Sequence, residues 1–343
     1  MKKILFAIIF SLVGIGLFVT VISHAGIQNI WEDLRVVSIS GLALFFGIIF
    51  LVFIFFTWRW NIILNTYGYK PNFWKLFLQR TSAYAISYLT PAAHIGGEPT
   101  RIYFLNKEEN IRLRDATASV IIDKYFDIVT NTFLILLAFI FALTQDFLPT
   151  NTSLILTISI GVVFFILIWF FWAVRNKQGT FSKIFRILYL NKLQFLKGLE
   201  PRIVRVEKML SDFFNHRREA LFSVISISIL LGVLMVLELW VGIYILGYSV
   251  TFLQIIIIWG FGILAYAIPV PGAFGVYEGV MAVIFSWLGL PLPLAIAFVL
   301  ILRLRDLTFT AIGAIYILQH GLKVIGLFAE KKDFINEAES EGI

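Results

Sequence analysis

The sequence predicts an all-α integral membrane protein. Of its 343 residues, 59% are apolar and only 14% are charged, whereas soluble domains have roughly 45–50% and about 25%. Several windows of about twenty residues carry almost no charge, which is the signature of membrane-spanning helices. Two further apolar segments are interrupted in the middle by proline and glycine. Together these features predict about six spanning helices plus two re-entrant helical hairpins, arranged as an inverted-topology repeat.

The first apolar segment is too long for the hydrophobic core of a typical signal peptide, so we interpret it as a first membrane helix. The uninterrupted segments are 4–22, 40–58, 115–143, 153–174, 221–245 and 294–318. The two interrupted segments are 73–105 and 252–290.

Lysine and arginine set the predicted orientation. Outside the apolar segments they fall almost entirely in segments that are cytoplasmic if the N-terminus is cytoplasmic, with Arg35 as the exception. This ordering requires that each interrupted segment enters and leaves on one side, the first from the cytoplasm and the second from outside. We therefore predict a single polytopic domain, 1–343, with both termini cytoplasmic, in the plasma membrane. Its parts are an inverted half 1–152, an inverted half 153–320, a cytoplasmic loop 175–220 within the second half, and a cytoplasmic tail 321–343.

The two interruptions share a spacing. Pro91 precedes Glu98 by seven residues, and Pro271 precedes Glu278 by seven. Each interruption begins a new half-helix, whose free N–H groups and positive dipole end suit an anion. The glutamates themselves either cap these helices or hold a cationic headgroup or a proton, and the sequence leaves both readings open. The hairpin backbone positions are Pro91, Gly96, Gly97, Pro271, Gly272 and Gly275.

Ionisable side chains at membrane depth are costly and mark functional sites by default. Asp123 and Asp127 are spaced to share one helix face, and Arg303 and Asp306 are close enough to pair locally. Pairing that merely pins helices together is the alternative for every one of them, and for Glu238 we expect anchoring at the membrane interface. The substrate-binding candidates are Glu98, Arg101, Asp123, Lys124, Asp127, Glu278, Arg303 and Asp306.

Several classes of chemistry lack sequence support. The chain has no cysteine, its four histidines are scattered, and no phosphate-binding glycine motif occurs. We therefore predict no catalytic residues, no metal, no cofactor and no nucleic-acid partner. Residues 201–218 form a basic amphipathic pattern, for which we expect contact with the anionic cytoplasmic leaflet. Assembly into a homo-oligomer stays open.

Three stretches carry a family resemblance: TPAAHIGGEPTRIYFL, VIIDKYFDIV and IPVPGAFGVYEGVMAVIFSWLGLPLPLAIAFVLILRLRDLTF. They resemble the flippase-like family named for the membrane region of lysylphosphatidylglycerol synthase. The resemblance implies a membrane module that moves a lipid or lipid-linked headgroup between leaflets. Some members carry an added aminoacyltransferase domain, which we do not expect here. Lys124 departs from the arginine of many relatives, which weakens a bidentate grip on phosphate.

The sequence as a whole favours a lipid transporter or flippase whose substrate is a phospholipid or a polyprenyl-phosphate-type lipid. Arg101, Lys124 and Arg303 are the predicted phosphate-binding side chains. The first alternative is a membrane-embedded transferase that acts on a lipid carrier. The second is a non-catalytic partner of a lipid-modifying enzyme of the cell envelope.

Overall fold

A computed structural model describes residues 20–90, 96–143, 199–268 and 270–320, with residue 16 and parts of 158–173. Every regular element in these ranges is helical. The α-helices are α1 (Ile27–Arg35), α2 (Ile39–Thr66), α3 (Phe73–Leu89), α4 (Glu98–Glu109), α5 (Leu113–Leu143), α6 (Leu199–His216), α7 (Arg218–Tyr244), α8 (Phe252–Gly262), α9 (Val276–Trp287) and α10 (Leu292–Gln319).

Three of these helices, α2, α5 and α7, are long and apolar enough to cross a membrane. They contain 28, 31 and 27 residues with mean hydropathy of 2.8, 2.2 and 2.7 in their most apolar windows. At about 1.5 Å per residue each exceeds the hydrocarbon thickness of about 30 Å. Helix α10 also has 28 residues but carries three charges near its middle. The all-helical membrane character is thus confirmed, while the number of spans and the inverted repeat stay predictions.

Both interrupted segments are broken where proline and glycine predicted a break. Helix α3 ends at Leu89 and α4 begins at Glu98. Between α8 and α9 the chain forms two short 3-10 turns, and Gly272 and Gly275 have φ of 56° and 77°. Positive φ is strained for residues with a Cβ, so glycine eases this path at two positions, while Ala273 between them adopts a φ of 50° in spite of its Cβ.

The broken region packs tightly against its neighbours. A Cβ on Gly97 would lie 2.0 Å from the carbonyl oxygen of Ala83, and its N–H donates to Ser87 Oγ at 2.8 Å. A Cβ on Gly313 would lie 2.3 Å from the carbonyl oxygen of Thr81. Small residues therefore allow α3 to contact α4 on one side and α10 on the other, backbone to backbone.

Helix α6 differs in part from its sequence-based interpretation. Its apolar side chains Leu210 and Phe213 are buried against Ile63 and Ile122 of the protein. These two side chains therefore pack on the protein. Contact between the basic side of the helix and the anionic leaflet stays a prediction.

Some expectations fall outside the described residues. These are most of the first span 4–22, most of 153–174, the loop 175–198, the tail 321–343, and Pro91.

We predict that Gly313→Ala destabilises the protein, because its methyl group collides with the α3 backbone. The matched control is Gly47→Ala, where a Cβ meets nothing within 4 Å. Both changes gain about 1 kcal/mol of helix propensity, so only the collision separates them. Thermal unfolding in detergent should show a lower Tm for Gly313→Ala and an unchanged or higher Tm for Gly47→Ala. Equal Tm values would contradict the close α3–α10 contact.

Candidate functional site

The described helices hold two groups of buried charged side chains. The first charge cluster combines residues of α2, α3, α4 and α5. The second combines residues of α7, α9 and α10. The first charge cluster is Arg59, Arg80, Glu98, Arg101, Asp123, Lys124 and Asp127, and the second is Glu238, Glu278, Arg303, Arg305 and Asp306.

Asp123 is the centre of the first charge cluster and is fully buried. Arg59 Nε donates to its Oδ1 at 2.9 Å. Arg80 and Arg101 each donate to its Oδ2 at 2.7 Å. Three guanidinium groups from three helices thus surround one carboxylate, an arrangement in which charge-assisted hydrogen bonds are strong. Asp127, one turn further along α5, also pairs with Arg59 and lies 3.7 Å from Arg80.

The start of α4 brings two more charges to this cluster. Glu98 Oε1 lies 2.8 Å from Lys124 Nζ. The second oxygen of Glu98 and the Nε of Arg101 are buried and have no hydrogen-bond partner within the described residues. The Arg101 guanidinium also lies 3.9 Å from the ring centre of Trp60. A buried donor and a buried acceptor left unpaired are costly, so this edge of the cluster suits a polar ligand.

Arg303 organises the second charge cluster. Its Nε and one terminal nitrogen contact Glu278 Oε1 at 2.9 Å and 2.8 Å. Its other terminal nitrogen donates to the carbonyl of Gly272 at 2.5 Å and to the hydroxyl of Tyr88 at 3.1 Å. Most of its donors are therefore used to hold the turn that precedes α9. It lies 4.0 Å from Asp306, the local pairing that the spacing allowed.

Glu278 caps its helix, which is one of the two alternatives that the sequence left open, and it also binds an arginine of the protein. Its Oε2 accepts a hydrogen bond from the backbone N–H of Gly275 at 2.7 Å, so it caps α9. Its Oε1 binds Arg303. Glu98, by contrast, is the first residue of α4 and makes no such cap. The N–H of the N-cap residue Gly97 donates to Ser87 Oγ instead.

Arg305 completes the second charge cluster. It binds Glu238 on α7 and lies 2.7 Å from Asp306 Oδ1. Glu238 is only 5% exposed. The expectation that Glu238 anchors the protein at the membrane interface is wrong, because its carboxylate faces the protein interior, where Arg305 compensates its charge.

Helix α3 connects the two clusters through one of its faces. Arg80 contacts Asp123, Tyr84 donates to Asp306 at 2.7 Å, and Tyr88 accepts from Arg303. These three residues are spaced by four and therefore lie in one row along the helix. The row spans eight residues, or about 12 Å. Neither tyrosine was singled out from the sequence, although polar side chains repeating every fourth residue on an apolar helix were a readable signal.

Sequence reasoning also misplaced Arg59. It stands directly after the predicted span 40–58, and we expected it in a cytoplasmic segment. The structure continues α2 to Thr66 and buries Arg59 completely. The apolar residues that follow it, Ile62 to Leu64, were the signal that the helix continues.

The two clusters carry net formal charges of opposite sign. The first contains four basic side chains and three carboxylates. The second contains two basic side chains and three carboxylates. Among the described residues, the first is therefore formally positive by one charge and the second negative by one. The first cluster suits an anionic group and the second suits a cationic one.

The chain is similar to a family of membrane regions and to archaeal membrane proteins. The family model described as Lysylphosphatidylglycerol synthase TM region matches residues 4–313. A UPF0104 membrane protein of Methanothermobacter thermautotrophicus is 29% identical over 252 residues, which cover 70% of this chain and 73% of the relative. A UPF0104 membrane protein of Pyrococcus horikoshii is 26% identical over 301 residues, covering 84% and 88%. No solved structure matches.

We predict that Asp123→Asn strongly destabilises the protein. The change leaves three buried arginines around a neutral side chain, and breaking a buried pair costs about 3–5 kcal/mol. The control is Asp212→Asn, whose side chain is 46% exposed and pairs at the surface. Denaturant unfolding in detergent should show a large loss for the first variant and about 1 kcal/mol or less for the second. Similar losses for both variants would rule out the central role of Asp123.

Proposed function

Because the chain belongs to the lysylphosphatidylglycerol synthase TM region family, we propose that it moves a phosphate-bearing lipid between the leaflets of the membrane. The observation that carries the proposal is the pair of buried charge clusters, whose net formal charges have opposite signs. The first cluster also has an unpaired hydrogen-bond donor and an unpaired acceptor at its edge. The proposed substrates are phospholipids or polyprenyl-phosphate-type lipids, and the proposed role is transport without catalysis.

The physical problem in lipid transport is the headgroup. Moving a charged group into hydrocarbon without partners costs many kcal/mol. A polar path through the protein lowers that barrier because charged side chains replace the water that the headgroup gives up. The first charge cluster supplies donors for a phosphate, namely Lys124 and Arg101. Arg303 has fewer donors left for a lipid, since Glu278 and the carbonyl of Gly272 occupy them.

The broken helices support transport as well. Irregular backbone at membrane depth is tolerated where it lines a cavity or is covered by protein. Discontinuous helices in two inverted repeats are typical of secondary transporters, whose sites lie near the midplane. We propose that the halves 1–152 and 153–320 form such a repeat, in a multi-pass plasma-membrane protein with cytoplasmic termini.

Reconstitution into liposomes tests the function. Headgroup-labelled lipids are incorporated, and a membrane-impermeant quencher reports the fraction that reaches the outer leaflet over time. We expect the protein to accelerate exchange of at least one phosphate-bearing lipid over protein-free vesicles. If every lipid class moves at the protein-free rate, the chain is not a lipid transporter under these conditions, and a transferase or partner role replaces the proposal.

Variants of the two glutamates should differ in their effects on lipid exchange and on thermal stability. Glu98→Gln breaks the partly exposed ion pair with Lys124 but no helix cap, so we expect slower exchange with only a small loss of Tm. Glu278→Gln removes the charge that binds buried Arg303, so we expect a clearly lower Tm. Exchange rates and Tm values of both variants are measured on the same preparations. Wild-type exchange by Glu98→Gln would remove this residue from the transport site.

Single cysteines test the proposed orientation, since the chain has none of its own. Glu32→Cys on α1 introduces a thiol at an exposed position, and Asp212→Cys on α6 introduces one at a partly exposed position. An impermeant maleimide applied to intact cells should label Glu32→Cys, and should label Asp212→Cys only after the membrane is opened. Labelling of both from the same side would exclude the proposed topology.

A further inference from the structure

An elongated apolar cleft of about 670 Å³ lies between α5 and α7, and the rest of its lining comes from α6, from α8 and from residues 164, 168 and 171. It follows α5 from Tyr125 to Leu137 and α7 from Leu221 to Val236. At about 1.5 Å per residue these stretches are about 18 Å and 22 Å long. That length is enough for the hydrocarbon of one leaflet, about 15 Å, and the volume lies within the range of roughly 300–1,000 Å³ typical of ligand sites.

A second cavity of about 130 Å³, here named the polar cavity because charged side chains form part of its otherwise apolar lining, lies among α2, α5 and α7. Arg59, Lys124, Asp127 and Asn131 contribute its polar lining. Its volume is close to that of the engineered cavity of about 150 Å³ that holds one benzene molecule. The cavity therefore has room for one small group such as a phosphate, and not for a whole lipid.

The two cavities adjoin at a seam of small side chains. Thr130 lines both cavities. On α7, Leu231 lines the polar cavity and the next residue, Gly232, lines the cleft. A Cβ on Gly232 would lie 3.3 Å from Thr130 Cγ2, so α5 and α7 meet here with little side-chain bulk. Ser228 lines the cleft and accepts a hydrogen bond from Arg59 at 3.0 Å, which joins the cleft to the first charge cluster.

Charge determines which headgroup suits this arrangement. The first charge cluster has an excess of one positive charge among the described residues. A headgroup with one negative charge neutralises it, whereas a zwitterionic headgroup leaves the excess unchanged. Because the lining of the cleft is almost entirely apolar, the ligand must also carry a hydrocarbon chain.

We infer that the cleft between α5 and α7 binds one hydrocarbon chain of a lipid whose monoanionic phosphodiester reaches the polar cavity past the seam of Thr130 and Gly232. The inference rests on the proposed function in that it takes the ligand to be the transported lipid. It adds the place of binding, the helix pair through which the lipid enters from the bilayer, and the charge of the headgroup.

Photo-crosslinking tests the site without requiring transport. The full chain is reconstituted in vesicles that contain phosphatidylmethanol, a monoanionic phosphodiester lipid, with a diazirine in its acyl chain. Crosslinked peptides are identified by mass spectrometry. We expect labelling to concentrate on 125–137 and 221–236, and to be several-fold weaker with phosphatidylcholine that carries the same chain.

Two valines provide a matched pair of variants. Val233→Trp places an indole in the cleft at a side chain that is 58% exposed, and Val283→Trp places one on α9, outside the cleft, at a side chain that is 46% exposed. Both exposed positions tolerate bulk, and Tm values verify folding. Val233→Trp should reduce labelling several-fold, and Val283→Trp should not. Lys124→Ala should remove the preference for phosphatidylmethanol while leaving chain labelling in the cleft.

The outcomes separate this inference from the proposed function. Labelling spread evenly around the lipid-facing helices, or equal effects of the two tryptophans, would overturn the site. Equal labelling by both lipids would overturn the headgroup assignment. If labelling concentrates in the cleft but the protein moves no lipid, the binding site stands and the proposed transport function falls. Transport that survives Val233→Trp unchanged would place the entry path elsewhere.

Discussion

The contact on which much of this structure depends is that of Asp123 with three arginines. A carboxylate and three guanidinium groups withdrawn from water are individually costly, and each is tolerable only because the others are present. Arg59 extends α2 beyond its apolar run, Arg80 fixes the rotation of α3, and Arg101 attaches the start of α4 to α5. A break in a membrane helix needs such a support, because the backbone around the break cannot rely on lipid for hydrogen bonds.

The same helix that fixes this carboxylate also reaches the second break. Arg80, Tyr84 and Tyr88 form one row on α3 and contact Asp123, Asp306 and Arg303. Movement of α3 along its axis would therefore alter both clusters together. Next to Arg80, the backbone of Thr81 is in close contact with Gly313, which packs α3 directly against α10. Two buried clusters of opposite formal charge are thus linked by one helix, and the proposed transport depends on these charged side chains taking the place of water around a headgroup.

Much of this arrangement was readable from the sequence, because it depends on local rules. Proline and glycine predicted both helix breaks. The rarity of charges at membrane depth singled out Asp123 and Arg303. What could not be read was pairing across helices, which depends on their relative rotation. Thus Glu238 was assigned to the membrane interface and Arg59 to a cytoplasmic segment. Neither Tyr84 nor Tyr88 was considered. Equal spacing also suggested equal roles for Glu98 and Glu278, whereas only Glu278 caps its helix.

The most direct test of the central claim is a double-mutant cycle between Arg101 and Asp123. Unfolding free energies are measured for wild type, Arg101→Gln, Asp123→Asn and the double variant in one detergent. At independent sites, the losses of unfolding free energy caused by two substitutions add to within about 0.3–0.5 kcal/mol. If Asp123 holds the start of α4 through Arg101, the double variant should lose clearly less than the sum of the two single losses. Additive losses would show that the two groups are not coupled, and the support of the first helix break would then have to come from elsewhere.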